Sequence, residues 1–290
     1  MRLDRLISLG IMHPVRRALG DSPGAGRCLP ILMYHSISDD PEPAHSPYYK
    51  VCTSPRRFAE QMQWLRTAGW QGVTLSDGLD FLNGKKKLTG KPVAITFDDG
   101  FRDFHTAAFP ALHQNGFSAT MYLPTAFIGD QRQSFKSREC LTWSEVRELA
   151  AAGIEFGSHT VNHPVLYQSS WAEIETELSA SKTILDQQLD QSTRAFAYPF
   201  AFPQEDRQFT ATLGNMLRSL GYQSCATTII GRARTGDDFF TLKRLPANSC
   251  DDRPLLAAKT RGAYDWLALP QAIARRVKRR SKPTRAVATV

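Results

Sequence analysis

The sequence lacks several features that would exclude an ordinary globular enzyme. No part of its 290 residues approaches the roughly 20 consecutive apolar residues of a membrane-spanning helix. The five cysteines are odd in number, widely spaced and without a Cys-x-x-Cys pair, which argues against a disulfide framework and a zinc knuckle. There is also no internal repeat and no low-complexity segment before the basic C-terminus, so the composition favours one α/β domain.

The N-terminal 26 residues lack the pattern of a secretory signal. Their apolar run, 6–12, is short and is broken by Ser8 and Gly10, and basic residues follow at once without a cleavage pattern. We therefore predict that 1–26 form a basic amphipathic arm and that the protein is cytoplasmic. The basic termini could hold the chain against the inner face of the membrane.

The net charge of +8 is concentrated at the C-terminus. Seven Lys or Arg residues and no acidic residue lie between Arg275 and Arg285, which leaves the rest of the chain near neutral. A basic tail of this kind can meet nucleic acid, anionic lipid or an acidic polymer, but it is more often solvated and disordered. We predict a flexible tail at 253–290 and no nucleic-acid partner.

Between 27 and 252 the sequence predicts alternating strands and helices. Apolar, β-branched or aromatic segments bounded by turn residues indicate seven buried strands, at 30–35, 72–75, 92–97, 119–124, 154–158, 195–199 and 224–228. Helical patterns separate most of them, and Thr142 with Glu145 forms a capping-box pair at one helix start. Seven parallel βα units favour a barrel over an open sheet.

Polar residues stand at the predicted C-terminal ends of four strands, where the reactive groups of parallel barrels gather. Asp98 and Asp99 follow one strand; a buried pair of carboxylates needs a compensating cation, although Asp-Asp-Gly alone would be typical of a turn. His159 and His163 follow another, and Pro164 favours a loop over a helix there. Two imidazoles and a carboxylate are a standard catalytic metal site, whereas the histidine pair alone could be coincidence.

Together these residues resemble the polysaccharide deacetylases of the NodB-homology type, carbohydrate esterase family four. Three motifs occur in the family's order: Thr-Phe-Asp-Asp-Gly at 96–100, Ser-His-Thr-Val-Asn-His-Pro at 158–164, and an Arg before Tyr-Pro at 194–200. The resemblance covers about 30–250 and implies a distorted (β/α)7 barrel in a single domain.

The resemblance also implies a role for each matching residue. Asp98 matches the general base, Arg194 the arginine that holds that base, and the Tyr198 backbone N–H a donor to the oxyanion. The implied metal ligands are Asp99, His159 and His163. The implied substrate-binding residues are Trp143, which could equally pack at a helix start, Tyr198 and Phe200. The implied cofactor is one divalent ion, with zinc as first choice and nickel, cobalt, manganese or iron as alternatives.

One departure concerns the general acid. Classical members carry this histidine in a late Leu-x-His motif, but no histidine follows His163 here. His35, at a predicted strand end, resembles the histidine of the permuted branch that deacetylates poly-N-acetylglucosamine. We therefore predict that His35 is the acid, with a buried structural histidine as the alternative.

The resemblance implies a metal-dependent hydrolase that removes N-acetyl groups from amino sugars of an exopolysaccharide or its precursor. Two alternatives remain open at this stage. The chain could be another C–N hydrolase on the same scaffold, of the imidase or allantoinase type, or a non-catalytic carbohydrate-binding protein. The sequence does not indicate the oligomeric state.

Overall fold

The protein is a parallel β-barrel surrounded by helices, as seen in a computed structural model that describes residues 3–19, 26–42 and 50–280. Its core sheet has eight strands, each buried over most of its length because apolar residues dominate them. They are β1 Ile31–Tyr34, β2 Trp70–Val73, β3 Lys91–Phe97, β4 Thr120–Leu123, β5 Glu155–Ser158, β6 Ala195–Ala197, β7 Ser224–Ile230 and β8 Leu242–Pro246.

Seven of these strands close into a ring in the order β1-β8-β7-β6-β5-β4-β3, because β1 also pairs with β3. The eighth strand, β2, pairs with the first half of β3 and lies outside the ring. The second half of β3 pairs instead with β4. Every pairing in this sheet is parallel, so all C-terminal strand ends point to the same face.

The barrel agrees with the predicted fold class, but one ring strand was missed. All seven predicted segments contain a strand, with ends shifted by a few residues. The missed strand is β8. Lys243 and Arg244 interrupt its apolar run, and a strand buried on both faces normally carries no charged residue. Its omission matters, since Arg244 lies in the functional site.

Helices cover the outside of the barrel. They are α1 Pro55–Thr67, α2 Leu75–Leu82, α3 Phe109–Gln114, α4 Trp143–Ala151, α5 Trp171–Leu189, α6 Arg207–Ser219, α7 Arg253–Thr260 and α8 Ala268–Arg280. The predicted capping box is present at α4, where Thr142 and Glu145 satisfy each other's backbone N–H groups. All five cysteines are free.

The predicted boundary at 252 is wrong, because the chain beyond it is part of the folded domain. Leu255 and Leu256 of α7 and Tyr264 belong to the main hydrophobic core. The ammonium of Lys259 is buried and bound by both carboxylate oxygens of Asp251, at 2.8 and 2.9 Å. Apolar burial and a paired buried charge fix this segment, and only 281–290 of the predicted tail lie outside the described residues.

The N-terminal arm is helical over Leu3–Ile7, Ser8–Met12 and His13–Leu19, and we call this segment the N-terminal helix. It packs on the C-terminal part of the domain. Arg5 forms a bidentate ion pair with Asp252, and Asp4 accepts a hydrogen bond from the Tyr264 hydroxyl at 2.6 Å. The N-terminal helix therefore lies against the segment 252–264.

Candidate active site

Asp98 and Asp99 point in different directions because the chain turns sharply between them. The Asp98 N–H still donates to the Tyr34 carbonyl as the last bond of the sheet, at 3.0 Å. Asp99 then adopts a left-handed backbone with φ of 76°, followed by Gly100 with φ of 68°. Left-handed backbone is costly at a non-glycine residue and clusters at functional sites. One turn thus separates two buried carboxylates into two environments.

Asp98 is held by Arg244, which reaches across the barrel interior from β8. The two guanidinium nitrogens donate to the two carboxylate oxygens at 2.7 and 2.8 Å, and both side chains are buried. A third donation goes from Arg244 Nε to the Thr227 carbonyl at 2.9 Å, which fixes the guanidinium plane. Burial alone would raise the pKa of Asp98, but the Arg244 charge outweighs burial and holds the pKa below its ordinary value.

The predicted contact between Arg194 and this base is wrong. Arg194 precedes β6 and is exposed, and its carbonyl accepts from the Gln223 N–H at 2.7 Å. It therefore lies at the N-terminal end of a strand, whereas Asp98 follows the C-terminal end of a parallel one. The barrel separates the two ends, so the arginine that the motif suggested cannot reach the carboxylate.

His159 and His163 lie on a tight loop after β5, as the proline at 164 predicted. The His163 N–H donates to Thr160 Oγ1 at 2.9 Å, and both residues have left-handed backbone, with φ of 54° and 71°. Glu177 of α5 accepts from the Val161 N–H at 2.8 Å and so holds the loop from outside. The two imidazole rings are brought within 4.7 Å of each other.

Asp99, His159 and His163 form a compact, buried set of metal-ligand atoms, all within 4.8 Å of one another. The Asp99 Oδ1 atom lies 3.2 Å from His163 Nε2 and 3.7 Å from His159 Nε2. Within the described part of the chain this buried oxygen has no hydrogen-bond partner. A buried acceptor beside two imidazole nitrogens is the donor set of a divalent-metal site, so the residues present fit such an ion.

The environment keeps His159 ready to bind a cation. Its Nδ1 is 2.8 Å from the Ala197 carbonyl, which assigns the proton to Nδ1 and leaves the Nε2 lone pair facing Asp99. Burial lowers the pKa of His159 to about 3, so the imidazole is neutral at ordinary pH. A neutral imidazole is the form that binds metals.

His35 stands on the Asp98 side of the site. Its Nε2 lies 3.9 Å from Asp98 Oδ2, and its side chain is partly exposed. Burial lowers the pKa of His35, and the neighbouring Asp98 and Asp99 oppose that effect. The predicted acid and the predicted base therefore border the same space, although no contact in the structure tests the acid role itself.

The rim of the site carries one exposed ring and one exposed ammonium. Phe200, 48% exposed and with φ of 59°, places its ring 4.6 Å from that of His163. Beside it, the hairpin 134–139 contributes Phe135, 5.1 Å from the His163 ring, and Lys136, whose ammonium lies 5.6 Å from the centre of the Phe200 ring. The Lys136 ammonium donates to Asp99 Oδ2 at 3.0 Å and stays 44% exposed on the solvent side.

Two other predicted substrate contacts are buried instead. Trp143 is 5% exposed and belongs to the main core, so it serves helix-start packing rather than a sugar groove. The Tyr198 side chain is 1% exposed and packs on Phe202 in a second core cluster. The Tyr198 N–H donates to the Ala226 carbonyl at 2.9 Å, which continues the β6–β7 pairing and occupies the predicted oxyanion donor.

Sequence reasoning missed Arg244 and Lys136. Arg244 left a weak signal, because an arginine beside Leu245, if buried in a strand, needs a buried partner of opposite charge. Lys136 left none, since its contact with Asp99 depends on a two-residue hairpin turn in which Lys136 and Ser137 both have positive φ, 50° and 61°.

Comparison with known proteins decides the family. The family model "Polysaccharide deacetylase" matches residues 85–225. YxkH of Bacillus subtilis, named as a polysaccharide deacetylase, is 30% identical over 236 residues, which cover 81% of this chain and 75% of that protein. The chain belongs to the polysaccharide deacetylase family. It is thereby a metal-dependent hydrolase acting on amide C–N bonds, and it follows the (β/α)7 fold of that family.

Two further deacetylases are similar over different extents. The poly-β-1,6-N-acetyl-D-glucosamine N-deacetylase of Escherichia coli K12 is 32% identical over 153 residues, half of this chain but only 22% of that larger protein. The Streptococcus pyogenes deacetylase PplD, solved in complex with acetate, superposes with a TM-score of 0.69 at 28% identity. That alignment covers 81% of this chain and 99% of PplD, so the deacetylase fold accounts for most of the described structure.

Proposed function

We propose that this deacetylase removes N-acetyl groups from amino sugars of an exopolysaccharide or of its precursor, releasing acetate. The observation that carries the proposal is the pairing of two sites one residue apart: a buried ligand triad at Asp99 and a carboxylate at Asp98 locked by Arg244. The E. coli relative named for poly-β-1,6-N-acetyl-D-glucosamine supports the substrate class.

Asp98 is the general base of the proposed reaction. Arg244 keeps its carboxylate charged and fixed, so Asp98 can take one proton from the attacking water while the water oxygen adds to the acetamide carbonyl carbon. When bound at the triad, a divalent ion would polarise that carbonyl and lower the pKa of the water. Asp99, His159 and His163 would hold that ion and would not move protons.

The acid side belongs to His35. When the C–N bond breaks, the leaving amine nitrogen needs a proton, and the His35 ring borders the same space as Asp98. Burial lowers the pKa of His35, whereas the negative charges of Asp98 and Asp99 raise it and so favour the protonated form that donates. The products are then a free amino sugar and acetic acid, which ionises to acetate in solution, with one proton of the attacking water on Asp98 and the His35 proton on the amine.

The rim favours a long glycan over a small cyclic amide. Phe200 offers an exposed ring for sugar stacking, and Lys136 remains solvent-accessible, so the ligand triad lies beneath an open border. An imidase-type enzyme would need a closed pocket around its substrate. The intact ligand triad and the base beside it also argue against a non-catalytic sugar-binding protein.

Zinc is our choice for the metal, because a mixed nitrogen and oxygen donor set with room for water suits it. Nickel, cobalt, manganese and iron accept the same ligands and are alternatives for the test. The cytoplasmic location stays a prediction from the N-terminal sequence.

The test is acetate release from N-acetylglucosamine oligomers by the full-length protein. We expect release that a chelator abolishes and that added zinc restores. Release from a cyclic imide but from no acetylated glycan would overturn the substrate assignment. Release that is insensitive to complete metal removal, checked by elemental analysis, would overturn the metal-dependent mechanism.

A further inference from the structure

Helix α8 exposes an apolar stripe on its outer side. Leu269, Ile273 and Val277 follow one another at four-residue spacing, so they form a single stripe along the helix. They are 68%, 56% and 62% exposed. A surface helix normally buries such a stripe against the core, so this one requires another explanation.

The side of α8 that faces the domain is polar instead. Gln271 accepts from the Ile230 N–H at 3.0 Å and donates to the Thr228 carbonyl at 2.8 Å. Arg275, one turn later, donates to the carbonyls of Phe202 and Thr228 at 2.6 and 3.1 Å. Hydrogen bonds to the end of β7 therefore fix the orientation of the helix and hold the apolar stripe outward.

The charge around the stripe is of one sign. Arg276 is exposed next to the apolar stripe, and the sequence continues with Lys278, Arg279 and Arg280 in the same helix. No acidic residue occurs between 266 and 290. An exposed apolar stripe flanked by cations is the pattern of a helix that lies in the headgroup region of an anionic bilayer.

The N-terminal helix adds a second exposed apolar edge in the same part of the molecule. Its Leu3, Leu6 and Ile11 are 68%, 45% and 58% exposed. Ser8 of this helix accepts from Trp266 Nε1 at 3.0 Å, two residues before α8 begins. No helix among the described ranges is long and apolar enough to cross a bilayer.

Helix α8 is also joined to the rim of the active site. Thr228, which accepts from Gln271 and Arg275, donates through its hydroxyl to the Phe200 carbonyl at 3.2 Å. The Phe200 ring in turn contacts His163. One residue thus separates the exposed helix from the loop that borders the metal ligands.

We propose that α8 lies on the surface of an anionic bilayer, with Leu269, Ile273 and Val277 inserted, and that the enzyme there deacetylates a lipid-linked glycan. The binding surface stands on its own observations, whereas the lipid-linked substrate rests on the proposed deacetylase function. Bilayer contact brings the Phe200 rim to the membrane, where a sugar attached to lipid is presented.

The test of binding uses full-length protein and sedimentation with phosphatidylcholine vesicles, with and without phosphatidylglycerol. We expect binding only to the anionic vesicles, weakened by added salt because headgroup attraction is screened. Replacing the stripe, in L269Q/I273Q/V277Q, should lower partitioning about tenfold or more because the three apolar side chains that insert into the bilayer are lost. Val51→Gln, at an exposed valine outside both terminal helices, is the control for replacing an exposed apolar side chain by glutamine.

The outcomes separate the surface from the chemistry. The triple variant should keep its fold by circular dichroism and its acetate release from soluble oligomers, and lose release from a lipid-linked N-acetylated sugar in vesicles. Failure of the wild type to bind anionic vesicles, or equal binding by the triple variant, would overturn the proposal. If the wild type is a dimer in sedimentation, the triple variant is a monomer and neither binds vesicles, the stripe is the contact surface for a second copy of the chain. If the wild type releases acetate from neither substrate, the proposed deacetylase function is wrong instead.

Discussion

Asp98 and Asp99 are neighbours in the chain, equally buried, and chemically opposite. Both oxygens of Asp98 receive hydrogen bonds from one guanidinium that the barrel holds rigidly. Asp99 divides its oxygens: Oδ2 receives the Lys136 ammonium, while Oδ1 faces two imidazoles and has no hydrogen-bond partner in the described part of the structure. Asp98 thus has hydrogen-bond donors on both oxygens, whereas Asp99 Oδ1 is left to bind a metal ion.

The difference arises from the backbone rather than from residue type. Asp98 is the last residue bonded in the sheet, so its side chain points into the ring toward Arg244. The left-handed turn at Asp99 rotates the next side chain toward the loop of β5. A like-charged pair that would be costly in one pocket is thereby placed in two, each with its own positive partners.

Removing the guanidinium that binds Asp98 should have the largest effect on stability. Arg244→Met leaves Asp98 buried without its cation, which costs about 3–5 kcal/mol in the free energy of unfolding and removes the fixed base. Urea unfolding and acetate release measure the two losses. Arg194→Met is the matched control, because Arg194 is exposed at the opposite end of the barrel. Equal effects of the two substitutions would contradict the assignment of Arg244.

Replacing His35 should separate the proposed acid from the base Asp98, with little change in the free energy of unfolding. His35→Gln is expected to lower kcat for an N-acetyl sugar by roughly 10²-fold or more, since the amine leaves poorly without a proton. An aryl acetate ester, whose leaving group needs no proton, should lose far less. An equal loss for amide and ester would show that His35 acts otherwise than as the general acid.

The features that could be predicted from sequence depend on residues that are close together in the chain. The grouping of the candidate metal ligands and the candidate base could be predicted because Asp98, Asp99, His159 and His163 stand directly after strands, and parallel strands bring such ends together. The seven predicted strands and the capping box at Thr142 rest on equally local rules. Proline at 164 also indicated correctly that the two histidines share a loop.

The features that could not be predicted depend on pairing across the barrel. Arg244 supports Asp98 from a strand 146 residues away, and its charge concealed that strand. The Tyr198 N–H was assigned to the oxyanion, but strand pairing with Ala226 occupies it. The basic C-terminal segment was predicted to be flexible, yet Leu255 and Leu256 fill the core. The flexible tail was inferred from the seven Lys or Arg residues between Arg275 and Arg285, and the ion pair of Lys259 with Asp251 cannot be read from spacing.

The measurement that tests the central contrast is metal content and turnover in two adjacent variants, Asp98→Asn and Asp99→Asn. Each substitution is isosteric, and the wild-type protein loaded with zinc is the reference. We predict that Asp98→Asn retains stoichiometric zinc in equilibrium dialysis and loses acetate release by about 10³-fold or more, because the base is gone and the triad is intact. Asp99→Asn should lose zinc under the same dialysis. Zinc lost from the Asp98 variant and kept by the Asp99 variant, or full turnover in Asp98→Asn, would contradict the division of roles between the two carboxylates.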